Sequence, residues 1–284
     1  MGLDINGARF LLGEQTRGGH FGRTLTLGRQ GIYMSEYSYA MFLKTLGVPV
    51  STPGHADDFF RGIGAEPLIA MDASNYEGAA IIHDMNEPVD EKYHGTFDTV
   101  IDGGTLEHVF NFPVAIRNCM QMVKVGGQLI LMTPWHNFPG HGFYQFSPEL
   151  IHNTLSIDSG YSIEKMLIVA GKSWYSVKNP SELKNRIEIS TRDPILLYVT
   201  ARRIAECPVL SSWPQQSDYT AAWQSAVHSS VDAMPRLTMK SRLVEGFPPL
   251  ESLRSKWRDF KHQRAISPAR NPGLVRIGPS WQNP

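Results

Sequence analysis

Short apolar runs alternate with amphipathic stretches along this chain, and the clearest such unit spans Phe97 to Pro134. Thr99-Val100-Ile101 is a β-branched run cut off by Asp102-Gly103-Gly104, the pattern of a buried strand ending in a tight turn where glycine tolerates positive φ. Phe112, Ala115, Ile116, Cys119, Met120 and Val123 then recur at helical spacing, and Gly126-Gly127 is read as the helix stop. Gln128 to Pro134 is a second apolar strand. A βαβ unit with strands this apolar implies a parallel sheet buried on both faces, whose ligands bind beyond the carboxyl ends of the strands. Asp102 to His108 occupies such an end.

The same reading extends in both directions. Arg23 to Leu27 is a first strand, Gly28-Arg29-Gln30-Gly31 a turn, and Tyr37, Ala40, Met41, Leu43 and Leu46 a helical face. Ser51 to Ala65 inserts a helical turn at Asp57-Asp58-Phe59-Phe60. Leu68 to Met71 is a second strand with Asp72 at its end, and Asp72-Ala73-Ser74 is expected to start a helical turn through Gly78. Ala79 to Ile82 is a third strand, ending in His83-Asp84-Met85-Asn86. Ser147-Pro148-Glu149 opens a helix through Leu155. Ser162 to Ala170 and Ile195 to Ala201 are the last two strands. Between them Gly171 to Pro194 is too long for a tight hairpin and has room for a short helix near Ser181 to Ile187.

These elements predict an α/β chain with a Rossmann-like, doubly wound, mostly parallel seven-stranded sheet. Residues 1–22, glycine-rich and aperiodic, are read as an N-terminal loop segment, residues 23–206 as the domain, and residues 207–284 as an irregular and helical appendage. The appendage carries Pro208, Pro214, Pro235, Pro248, Pro249, Pro268, Pro272, Pro279 and Pro284. Beyond Arg236 it is basic, with Arg242, Arg254, Lys256, Arg258, Lys261 and Arg264 around Trp257 and Phe260 on one expected amphipathic helix. Packing of that helix on the core is weighed against a site for an anionic glycan, nucleotide or partner.

Composition narrows the partners. The 284 residues balance 27 Lys and Arg against 27 Asp and Glu, so the chain as a whole has no electrostatic footprint for nucleic acid or an anionic membrane. Its two cysteines, Cys119 and Cys207, form no CxxC pair, which argues against a disulfide framework or zinc knuckle and fits a cytoplasmic location. No stretch approaches the ~20 apolar residues of a membrane span. No metal-ligand set is read from the spacing.

Phe97-Asp98-Thr99-Val100-Ile101-Asp102, followed by Leu106-Glu107-His108-Val109 and by Gly126-Gly127 before a strand ending in Pro134, resembles the fourth-to-fifth-strand segment of class I S-adenosylmethionine-dependent methyltransferases. The "methyltransferase type 11" branch is the nearest likeness, and the order of elements carries it from about Arg23 to Ile204; it implies that the last strand of the sheet is antiparallel, in a hairpin at one edge. The resemblance implies S-adenosylmethionine as cofactor, with Leu27, Gly28, Arg29, Gln30, Asp72, Ala73, Asp84, Met85, Asp102 and Gly103 as its contacts. Asp72 would accept from the ribose hydroxyls and Asp84 from the adenine amino group, with Met85 on the ring. The first strand lacks the usual acidic residue at its end, and only Gly28 and Gly31 remain of the glycine-rich loop. Arg29 is therefore expected to meet the cofactor's carboxylate and Gln30 to assist at its amino group.

Trp135 to Pro148 leaves the fifth strand as a loop rich in aromatic residues, histidine and glycine, placed to cover a methyl acceptor. His108 and His141 are the candidate bases, with Glu107 to orient a histidine or bind the acceptor, and His136 a weaker candidate. The acceptor class expected is a small molecule or glycan-like compound, methylated at oxygen. Two alternatives stand beside this reading. One is a scaffold or partner subunit that has the fold without the cofactor. The other is a short-chain NAD(P)-dependent dehydrogenase, from the Tyr161/Lys165 spacing.

Overall fold

A computed structural model describes residues 2–49, 54–183, 186–217, 219–220, 222–223 and 248–278. Ser51, Pro53, Pro235, Arg236, Arg242, Pro279 and Pro284 lie outside the described residues, and for Arg254 only the backbone is described. In chain order the elements are β1 (Gly2–Asp4), α1 (Ile5–Thr16), β2 (Gly22–Leu27), β3 (Gly31–Tyr33), α2 (Glu36–Leu46), α3 (Asp57–Gly62), β4 (Ala65–Asp72), β5 (Ile81–Ile82) and β6 (Phe97–Asp102). There follow α4 (Phe112–Met122), β7 (Val123–His136), α5 (Pro148–Thr154), β8 (Tyr161–Ala170), β9 (Ser173–Val177), α6 (Pro180–Leu183), β10 (Ile195–Arg203), α7 (Pro248–Ala265) and β11 (Leu274–Arg276).

The main sheet has the order β11-β9-β8-β10-β7-β6-β2-β4-β5. Strands β5, β4, β2, β6 and β7 are parallel, and β10 enters antiparallel between β7 and β8. Its seven-strand portion is the doubly wound arrangement read from the sequence. The strand order reverses between β2 and β6, the switch point at which open α/β sheets hold ligands.

Neighbouring residues on the central strands face opposite layers. Val100, Leu129 and Leu131 join α4 and α5 through Phe112, Ile116 and Ile151, while Ile101, Ile130 and Met132 join α1, α2 and α3 through Phe10, Leu43 and Phe59. Each such side chain, fully buried, contributes roughly 1.5–3 kcal/mol, which fixes the strand register because a one-residue slip would reverse every face.

Several expectations are corrected. Residues 1–22 contain β1 and α1 rather than a loop: Asp4 caps the helix by accepting from Gly7 N at 2.7 Å, and β1 pairs in parallel with β3. The two glycines within α1, Gly7 and Gly13, dilute its apolar run. In α2 the buried face is Tyr39 and Leu43, whereas Tyr37 and Met41 are exposed. Asp72 to Gly78 forms turns, not a helix, and the third strand shrinks to Ile81–Ile82. Gly126 and Gly127 do not cap α4. They sit in a bulge of β7, where the β6 pairing jumps from Phe97↔Val123 to Thr99↔Gln128 and Gly126 has φ +83°.

The stretch after Gly171 holds β9, joined to β8 by the two-residue turn Gly171-Lys172, with Gly171 at φ +60°. The tail returns as β11 on β9, so among the described residues the sheet has nine strands and Leu274–Arg276 of the appendage joins it. In α7, Trp257 and Phe260 are exposed rather than packed on the core. Among the described residues no helix is long and apolar enough to cross a membrane.

Candidate active site

At the carboxyl end of β6 the chain turns through Gly103-Gly104 into a single 3₁₀ turn, Leu106–His108. Asp102 builds that turn: its Oδ1 accepts from the N–H of Thr105 at 2.7 Å and of Leu106 at 3.3 Å. Thr105 Oγ1 donates to Leu27 O at 3.0 Å and so ties the turn to the end of β2. The aromatic loop after β7 is held against the same turn. Glu107 O accepts from Phe143 N at 2.7 Å and from Tyr144 N at 3.2 Å, a contact so close that a Cβ on Gly142 would stand 2.7 Å from that oxygen. Tyr144 Oη donates to Phe110 O, and Phe110 meets Phe143 edge to face.

This second anchorage brings His141 to the 3₁₀ turn. Its Nε2 lies 3.5 Å from Glu107 Oε1, and its ring centroid is 5.1 Å from that of His108. Both imidazoles are exposed while the Glu107 carboxylate is buried. A cavity of about 240 Å³ opens here, lined by Gly103, Glu107, His108 and His141 and roofed by Asp4 and Tyr33 from the small β1–β3 sheet. Larger clefts, of about 420 and 620 Å³, lie beside α5 and at the amino end of β7.

Burial, aided by the charge of Asp102, pushes the Glu107 carboxyl above its ordinary range. Burial also raises Asp102, against the pull of the backbone N–H groups it accepts from. His108 is pushed down, first by desolvation and then by His141. Glu107 Oε2, Asp102 Oδ2 and Gln30 Oε1 are all buried without a hydrogen-bond partner among the described residues. An unpaired buried oxygen costs about 1–3 kcal/mol, so three at one strand-end cluster mark a place built for donors.

The residues expected at the cofactor or in catalysis fall into two groups. The catalytic candidates Glu107, His108 and His141 line the cavity with Gly103, and Leu27, Gly28, Gln30 and Asp102 stand at the β2 and β6 ends outside its lining. Asp72, Ala73 and Asp84 stand at the neighbouring β4 and β5 ends and do not line the cavity. Asp72 is partly exposed, and among the described residues its side chain accepts one long hydrogen bond, from Ser74 N at 3.4 Å. Asp84 closes a turn by accepting from Asn86 N and Nδ2. Met85 is buried in the core instead of being displayed to a ring.

Arg29 does not point at a ligand: its guanidinium pairs with Asp57 at 2.7 Å and donates to Glu77 O, which overturns the expected carboxylate contact. Gln30 folds inward, its Nε2 donating to Leu27 O at 2.9 Å and Gly28 O at 3.3 Å. The dehydrogenase pair is also separated. Tyr161 Oη donates to Met120 O in one layer, and Lys165 pairs with the buried Glu14 in the other, with a β-bulge between them.

Asp4 and Tyr33 escaped the sequence reading, although Asp4 directly before the apolar helix α1 was a visible capping signal. Met132, Leu196 and Tyr198, which complete the cavity wall, are ordinary strand residues with no such signal.

No protein-family model matches the sequence, and no curated protein matches it. Among solved structures the chain is similar to the 1,6-didemethyltoxoflavin-N1-methyltransferase of Burkholderia thailandensis, solved with S-adenosylhomocysteine. They share 14% identity over 71% of this chain and 78% of that one, at a TM-score of 0.39. An S-adenosylmethionine-dependent methyltransferase of Mesorhizobium loti gives 15% identity, 70% and 100% coverage and a TM-score of 0.39. The branched-chain polyamine synthase of Thermus thermophilus, solved with 5'-methylthioadenosine, gives 12%, 75%, 61% and 0.38. Likeness this low carries no argument about activity.

Proposed function

We propose that this chain is an S-adenosylmethionine-dependent methyltransferase acting on a small-molecule or glycan-like acceptor, with oxygen as the atom methylated. The observation that carries the reading is the cavity at the switch point of a doubly wound sheet, lined by Gly103 and the buried Glu107 and faced by two imidazoles. Asp102 Oδ2 and Gln30 Oε1, buried behind the cavity wall without a hydrogen-bond partner among the described residues, support S-adenosylmethionine as acceptors for the ammonium of its methionine part. Asp72, with little of its hydrogen-bonding capacity committed to the protein, is free to accept from a ribose. Asp84 is placed beside it, one strand out.

S-adenosylmethionine supplies an electrophilic methyl group on a sulfonium. The chain's own part is to orient and to take a proton. The aromatic loop, fixed to Glu107 O, holds the acceptor's side of the cavity, and orientation of this kind is worth on the order of 7–11 kcal/mol. His141, steadied by Glu107, takes the proton of a hydroxyl acceptor, a step worth about 10²–10⁴-fold. His108 stands beside it as a second candidate base.

Gln30 supports a second reading, the scaffold, because its amide already occupies the carbonyls of Leu27 and Gly28. Calorimetric titration with S-adenosylhomocysteine, with NAD as comparison, separates the two. Saturable binding of S-adenosylhomocysteine alone supports the transferase, whereas a folded protein that binds neither moves the assignment to the scaffold.

A further inference from the structure

We propose that Glu107, His108 and His141 form a binding site for one divalent transition-metal ion at the mouth of the cavity. The candidate ligand atoms of all three residues lie within 4.8 Å of one another. Two donors held about 2.1 Å from one ion at a tetrahedral angle stand ~3.4 Å apart. His141 Nε2 and Glu107 Oε1 are separated by 3.5 Å, so the pair needs almost no movement to close on an ion. His108 approaches from the turn that carries Glu107, its ring inclined 57° to that of His141 rather than stacked on it.

A second, independent observation points to a cation. The Glu107 side chain is 2% exposed, and its Oε2 has no hydrogen-bond partner among the described residues. Asp102 adds another buried carboxyl nearby, and no lysine or arginine lines the cavity. A buried carboxylate is tolerated when it is paired or coordinates a metal; Glu107 Oε1 faces only the His141 imidazole at 3.5 Å, and among the described residues no donor meets Oε2. The backbone also gives the set rigidity. The bonds from Phe143 and Tyr144 N–H to Glu107 O fix the loop bearing His141 to the residue that supplies the carboxylate, so ligands from two segments keep a set separation.

Two imidazoles and one carboxylate select Zn²⁺, Mn²⁺ or Fe²⁺ over Mg²⁺ and Ca²⁺, which prefer all-oxygen sets. Three protein ligands leave a position open toward the cavity, as in catalytic rather than structural sites. The chemistry such an ion supplies is Lewis acidity toward an acceptor oxygen. The inference rests in that respect on the methyl-transfer reading and revises its base: with an ion bound both imidazoles are ligands, and the proton of an ion-bound acceptor hydroxyl passes to water. The site itself stands on geometry that does not require the cofactor.

The test uses the full chain, stripped with a chelator and titrated with ZnCl₂ and MnCl₂ in the absence of cofactor, with MgCl₂ as comparison. One Zn²⁺ should bind per chain, and His141→Ala, an exposed substitution that leaves the core intact, should weaken it about tenfold or more. Glu107→Gln should do the same, with circular dichroism confirming the fold. Absence of stoichiometric Zn²⁺ binding overturns the proposal. So does binding of equal strength in His141→Ala and in a His108→Gln/His141→Gln double variant, since the ion would then sit on other histidines. A separate titration with S-adenosylhomocysteine keeps the two questions apart: ion binding without cofactor binding upholds this site and removes the transferase, and the reverse result does the opposite.

Discussion

The side-chain amide of Gln30 lies against the backbone of Gly103, so closely that a Cβ at residue 103 would stand 2.2 Å from Gln30 Oε1. These residues belong to the ends of β2 and β6, the two strands that flank the switch point. Their contact shapes the floor of the cavity. Gly103→Ala must displace the amide or the backbone, and overpacking of this kind costs about 1–3 kcal/mol. The expected outcome is a lower urea midpoint together with weaker S-adenosylhomocysteine binding. A variant with unchanged stability and affinity would show that Gln30 moves aside freely.

Asp72→Ala should behave differently. The carboxylate contributes one long bond to the folded chain, from Ser74 N at 3.4 Å, so its loss should leave the thermal midpoint almost unchanged. If it accepts from both ribose hydroxyls, affinity for S-adenosylhomocysteine should fall about 10- to 100-fold, in line with hydrogen bonds to a charged group. Calorimetry on both proteins reads this directly, and equal affinities would remove Asp72 from the site.

Arg29 and Asp57 should be coupled energetically to each other rather than to a ligand. The pair is bidentate, with side-chain exposures of 29% and 14%, so partial screening holds its worth to about 1 kcal/mol. A double-mutant cycle with Arg29→Ala and Asp57→Asn, read by urea unfolding, should return a coupling of that size. A coupling near zero would mean that the pair contributes nothing to stability.

Acid sensitivity should be traceable in part to His152. Burial pushes its imidazole down to about 4, against the opposing charge of Glu149, and its Nε2 is buried without a partner. In the unfolded chain the value is about 6.5. Above that pH the group is neutral in both states, and its full contribution is present. As pH falls from about 6.5 toward 4 the unfolded chain binds a proton that the folded chain resists, so stability is lost across that window. Between about pH 7 and 4.5 the protein should lose on the order of 2 kcal/mol more than His152→Leu does, after allowance for partial exposure. Identical pH profiles in denaturant melts would assign the acid sensitivity to other groups.

Much of the frame was legible because its signals are local. Thr99-Val100-Ile101 and Gln128 to Pro134 alternate between two buried layers, and the α4 face recurs at helical spacing, so these segments declare their structure without reference to partners. The positions of Asp72, Asp84 and Asp102 at strand ends followed from the same patterns. So did the antiparallel last strand, through the resemblance carried by Leu106 to Val109.

The site was less legible because its contacts join segments far apart in the chain. Gly126 and Gly127 read equally well as a helix cap or a bulge until the pairing of β6 with β7 selected the bulge. From the sequence Arg29 was expected to meet the cofactor's carboxylate, and only the folding of α3 beside it supplied Asp57. Glu107 and His141 meet because a loop leaving β7 is hydrogen-bonded to a turn leaving β6, a relation between strand ends that no periodicity records. What the sequence by itself determined is the order and type of the elements, since burial and backbone geometry act over a few residues. The tertiary structure alone decided which polar side chains are spent on one another and which face the cavity, because that choice depends on partners the sheet brings together.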